Sequence, residues 1–168
     1  MDLIRTMYHT QEKWEHELTA PVQTTNIDAW LGDGYYFWYY NADADWWGNT
    51  AKKRTGHYQV YKADINCENV FDTVFNEEHY NLWISVIERA IQTFFKNHNG
   101  KLTIKYINDF FKARGVFDEV DGVMFQDITD NPKYWIINKF QYKKRIQIVV
   151  YNLPIITTFA LEFEGKCV

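Results

Sequence analysis

The sequence predicts an α+β domain. Strand-like segments open and close the chain, two amphipathic helical segments lie between them, and no βαβ series recurs that would build a regular parallel sheet. With 168 residues, 46% of them hydrophobic, the chain suits a single domain over 1–168 with one sizeable core. Aromatic residues make up 18% of it, with 12 Tyr, 12 Phe and 7 Trp, so either the core is unusually aromatic or a pocket is lined with rings.

Residues 3–8 read as a short strand. A helical stretch is expected next, with Trp14 and Leu18 four apart on one face and Pro21 ending it. Beyond the polar loop of Thr24, Thr25 and Asn26, the aromatic run 34–39 predicts a buried strand. Residues 42–47 begin a short helix with Asn41 as N-cap, and 57–65 alternate roughly as a strand should. The strongest helix spans 78–96, where Leu82, Trp83, Val86, Ile87, Ala90, Ile91, Phe94 and Phe95 form one apolar stripe that 97–100 stops. Thr103 caps a second helix through Ile104, Ile107, Phe110 and Phe111, which Gly115 closes in the C′ role. Strands are expected at 120–125, 145–151 and 155–164, with a polar stretch 126–144 between the first two.

The net charge of -4 argues against broad, salt-driven binding of nucleic acid, although Lys143, Lys144 and Arg145 form a local basic patch. Cys67 and Cys167 stand far apart in no metal-like spacing, so neither a disulfide framework nor a zinc site is indicated, and a reduced, cytoplasmic setting is expected. Residues 1–11 lack the apolar run of a signal peptide, and no stretch approaches the roughly 20 apolar residues of a membrane span.

Three motifs carry the chemistry. Tyr8-His9-Thr10 ends the first strand. Leu31-Gly32-Asp33-Gly34-Tyr35-Tyr36-Phe37 is a glycine turn entering an aromatic strand, either a core strand or a face on which a flat heterocycle can lie. Near the C-terminus, Gln147-Ile148-Val149-Val150-Tyr151-Asn152 follows a segment beginning Phe117-Asp118-Glu119-Val120. In this order and spacing the set resembles the ADP-ribosyltransferase superfamily, in its branch marked by His, Tyr and a third polar residue. The resemblance spans nearly the whole chain.

That resemblance implies two facing, antiparallel-rich sheets around an NAD+ cleft, with helices at the sides. It implies that His9 hydrogen-bonds the adenosine-side ribose, that Tyr36 stacks on nicotinamide, and that Trp47 closes a sandwich on the same ring. Gln147 would hold the nicotinamide ribose through its 2′-hydroxyl, while Thr10 and Gly34 complete the NAD+ contacts and 126–144 forms a target-recognition loop. The implied activity is cleavage of the nicotinamide bond of NAD+, used as co-substrate, with transfer of one ADP-ribose to an acceptor. A toxin or defence effector, with an antitoxin or immunity protein as partner, fits that expectation.

Two positions depart from the family pattern. Gln147 stands where the best-characterised members have glutamate and cannot supply charge to an oxocarbenium-like transition state, and Thr10 replaces a glycine. Should the acceptor need a general base, Glu119, Asp121 and Asp127 are the nearest acids in sequence. Truncating His9 or Tyr36 to alanine is expected to weaken NAD+ binding without unfolding the domain. The competing readings are an RNA 2′-phosphotransferase-like or rifamycin-modifying relative, a catalytically silent NAD+- or partner-binding domain, and an aromatic-rich interaction domain unrelated to NAD+.

Overall fold

The computed structural model describes residues 3–97, 102–127, 137 and 144–168, with the side chains of Phe95 and Asn97 excepted. The described elements run β1 (Ile4–Glu12), β2 (Tyr35–Trp38), α1 (Asn41–Ala51), β3 (His57–Asn66), β4 (Val70–Asp72), α2 (Glu77–Asn97), α3 (Ile104–Lys112), β5 (Gly122–Asp127), β6 (Arg145–Val150) and β7 (Ile156–Lys166). The strands form a seven-stranded sheet in the order β4-β5-β6-β2-β1-β3-β7, in which β4 and β5 are parallel and every other pair antiparallel. The α+β class follows, with strands hydrogen-bonded into one sheet in place of two separate ones.

The sheet is nevertheless narrow at one seam. β1 pairs with β3 from Ile4↔Asn66 through Glu12↔Tyr58, whereas β1 and β2 share the single register pair Tyr8↔Trp38. Strand side chains alternate between faces, so Ile146, Ile148 and Val150 of β6 join Met7, Phe37, Ala63, Ile65 and Met124 in a cluster on one face. Val149 turns to the other face, where Leu31, Ile107, Phe111, Val123 and Phe125 pack with α3 and the apolar side of α2. A third cluster, Trp38, Ala44, Tyr58 and Val60, seats α1 on the same sheet further along. No described helix is long and apolar enough to cross a membrane.

Several expectations need correction. Residues 13–23 form no helix, because one pair of apolar residues four apart offers too little surface to bury, and Trp14 stays exposed. β1 is correspondingly longer than expected. The cap of α1 is Tyr40, with no side-chain hydrogen bond, and Asn41 is instead the first helical residue. The three-residue strand β4 is too short for any period to reveal. Thr103 does cap α3, its Oγ1 accepting from the Tyr106 N–H at 3.1 Å. Gly115, at φ 70°, closes it with the paired bonds of a Schellman motif, Gly115 N–H to Lys112 O and Val116 N–H to Phe111 O. The Phe95 side chain and most of the 126–144 stretch fall outside the described residues.

Candidate functional site

A cleft of about 510 Å³ opens between the cluster under α2 and α3 and the cluster under α1, a size that suits a small-molecule ligand. Along this face of β6 the apolar Val149 gives way to Gln147 and Arg145, and along β2 Tyr36 gives way to Trp38. Trp38 and Gln147 are register partners, so they sit side by side on the floor. His9 and Thr10 border it from β1, Trp47 and Lys52 from α1 and its end, and Trp30 from the loop between β1 and β2. Five of the residues singled out by sequence, His9, Thr10, Tyr36, Trp47 and Gln147, therefore line one cleft. Gly34 does not line it.

His9 sits at the β1–β2 seam and is not a solvent-facing edge residue; it is 4% exposed. One step past the last paired position, its Nδ1 donates to the Tyr36 carbonyl at 2.9 Å, a side-chain bond where the next main-chain rung would stand. The carbonyl can only accept, so Nδ1 carries the proton, and Nε2 receives the Val22 N–H at 3.4 Å. Burial holds the imidazole down at about 4, against the help of the Tyr36 bond, so the ring is neutral near pH 7.

Tyr36 presents its ring to the cleft while its hydroxyl is spent on structure. The oxygen accepts the Leu31 N–H at 3.0 Å and donates to Gly32 O at 2.7 Å, and burial drives its pKa far up. Thr10 uses its hydroxyl to fasten β1 to α1, donating to Ala44 O at 2.8 Å. His9 and Tyr36 thus hold the chain as well as facing the cleft, so each alanine truncation also removes hydrogen bonds of the fold itself. Gly34 serves the approach of β2 to β6: a Cβ there would lie 2.7 Å from Val150 O and closer still to Val149 Cγ2. Trp47 stacks obliquely on Trp38 with centroids 5.9 Å apart.

Gln147 accepts a hydrogen bond at Oε1 from the Trp30 indole N–H, across 117 positions of sequence. Two positions back on the same strand face, Arg145 pairs with Asp127 and lies 4.8 Å over the Trp46 ring. Lys52 is a second cleft cation, and burial lowers its pKa while Glu12 partly restores it. Of the three candidate bases, Asp127 reaches the cleft. Asp121 binds Asn152 Nδ2 at 2.8 Å and Glu119 is exposed in the turn after α3, both away from it.

Sequence reading missed Trp30, Trp38 and Lys52 as cleft residues, and named Arg145 only as part of a basic patch. Period 2 could have found two of them, since Trp38 follows Tyr36 and Arg145 precedes Gln147 by two residues. Trp30 and Lys52 carry no local signal. No family model, curated protein or solved structure matches the chain.

Proposed function

We propose that the chain is a mono-ADP-ribosyltransferase that binds NAD+ in this cleft, breaks the nicotinamide–ribose bond and passes one ADP-ribose to an acceptor. The observation that carries the reading is the convergence of His9, Thr10, Tyr36, Trp47 and Gln147, drawn from four separate elements, on one cleft. The chemistry of the lining fits the ligand. Rings of Tyr36, Trp38 and Trp47 offer faces to a flat nicotinamide, while Lys52 and Arg145 offer charge to a diphosphate. His9 Nε2, with its long bond to Val22, is the imidazole nitrogen best able to exchange that bond for a ribose hydroxyl.

Cleavage leaves positive charge on the ribose and releases neutral nicotinamide, so rate is gained by gripping the ribose and holding the ring between aromatics. An ADP-ribosyltransferase-like fold, a cytoplasmic site of action, and a toxin or defence setting with an antitoxin or immunity partner belong to the same proposal.

A second reading, a silent NAD+-binding domain, is favoured by one observation: the Gln147 amide is neutral and its oxygen is already held by Trp30. One experiment separates the two. The purified chain is incubated with NAD+ and free nicotinamide is followed, beside Gln147→Leu and Trp47→Ala. Release that both substitutions abolish supports the transferase. NAD+-dependent thermal stabilisation without release supports the silent binder, and neither signal overturns both.

A further inference from the structure

We propose that Trp30 is a positioning residue that turns Gln147 into a hydrogen-bond donor facing the cleft, so that this point takes a ligand oxygen with free lone pairs, such as a ribose hydroxyl or a carboxamide oxygen. The inference rests on the reading of the cleft as an NAD+ site and adds the polarity of one contact. An indole N–H can only donate, so its partner in the Gln147 side chain must be the amide oxygen. The amide plane then carries Nε2 and its two protons away from Trp30, on a residue that lines the cleft.

Trp30 is well fixed for this task. Its neighbours Ala29 and Leu31 are buried, Leu31 N–H donates to the Tyr36 hydroxyl at 3.0 Å, and Leu31 O accepts from Asn108 Nδ2 at 2.9 Å. A loop pinned on both sides of the tryptophan cannot easily let the amide turn over. Arg145, on the same face of β6, also only donates, and its buried Nε has no hydrogen-bond partner among the described residues. The Arg145 charge is met by Asp127, which also lines the cleft, so the donor this end leaves for a ligand is the Gln147 amide.

The test has a ligand-free arm and a ligand arm. In 15N spectra of the free protein, the indole N–H signal that Trp30→Phe removes should exchange slowly in the wild type and rapidly in Gln147→Leu. Unchanged exchange in Gln147→Leu overturns the positioning role. If Trp30→Phe does not fold, the loss of one protected indole signal in Gln147→Leu alone decides.

In the second arm, NAD+ affinity is titrated for the wild type, Trp30→Phe, Gln147→Leu and the double variant. Trp30→Phe should bind about five- to tenfold more weakly, and the double variant no more weakly than Gln147→Leu. Losses that multiply would mean that Trp30 acts through its own contact, and they overturn the inference. A wild type that ignores NAD+ while keeping the protected indole signal sinks the proposed function alone.

Discussion

Between pH 7 and pH 4 the His9 imidazole takes up a proton in the unfolded chain but not in the folded one. Its ordinary value near 6.5 applies when unfolded, and burial lowers it to about 4 in the fold. As pH falls through this window the unfolded state binds the extra proton, so stability is full above 6.5 and declines towards 4, by on the order of 3 kcal/mol. Urea denaturation at half-unit steps should show that slope in the wild type and lose it in His9→Asn. A slope that survives the substitution would assign the pH dependence elsewhere. Glu12, Asp64 and Glu164, all lowered in the fold, add a slope of the same sign only as pH falls to their ordinary values of 4.5, 3.8 and 4.5, at the foot of this window, and that slope is common to the wild type and His9→Asn. Gln147 gives the second residue-scale prediction. A glutamate there would keep one oxygen on the Trp30 N–H and present the other, charged, to the ribose as positive charge develops. Gln147→Glu should therefore raise nicotinamide release on the order of 10²-fold, and a folded variant with unchanged or slower release would contradict the ribose-binding role.

At the scale of elements, the meeting of β2 and β6 is the join that places Tyr36 and Trp38 beside Gln147. Gly34 makes it possible, since a methyl group would collide with the Val150 carbonyl and the Val149 side chain, both parts of a strand that cannot retreat. Gly34→Ala should destabilise the domain by roughly 2 to 4 kcal/mol, read as a drop in thermal midpoint. Gly56, where an added Cβ meets nothing within 4 Å, is the control: only its positive φ opposes alanine, so about 1 kcal/mol is expected. An equal cost at both positions would remove the close approach as the cause. The two glycines look alike in sequence, and that shows which features a sequence discloses. Periodicity disclosed β3, α2, the cap and close of α3, and the aromatic β2, because each carries its own repeating pattern. It misjudged 13–23 and passed over β4, where tertiary partners decide: Leu18 N–H bonds the Tyr61 hydroxyl across the fold, and β4 exists by pairing with β5.

For the molecule as a whole, the cleft is the space left between two helical layers on one face of a single sheet, and its contents sort by how they were brought there. His9, Tyr36 and Gln147 lie on three strands that neighbour one another in the sheet, so an ordered set of strand motifs could point to them together. Trp30, Lys52 and the pairing of Asp127 with Arg145 arrive through loop path and strand order, which no local pattern encodes, although period 2 places Arg145 itself beside Gln147. Trp47 belongs to a third kind, a residue of α1 whose helix is seated by other side chains: Ala44 is buried, Thr10 binds its carbonyl, and Gly48 packs against Tyr58. Trp47, 38% exposed, adds its ring contact with Trp38 to that seating. Trp47→Ala should thus lower the stability of the free protein by roughly 1 to 2 kcal/mol through the lost Trp38 contact. The ligand-bound protein should respond differently. NAD+ at one hundred times its Kd stabilises the fold by about 2.7 kcal/mol, and a tenfold weaker Kd from the lost ring would remove roughly half of that. Thermal midpoints with and without NAD+ measure both effects on the same samples. A variant that keeps the full NAD+-dependent shift would mean the ligand does not touch the α1 wall, and the ring sandwich would have to be sought between Tyr36 and Trp38 alone.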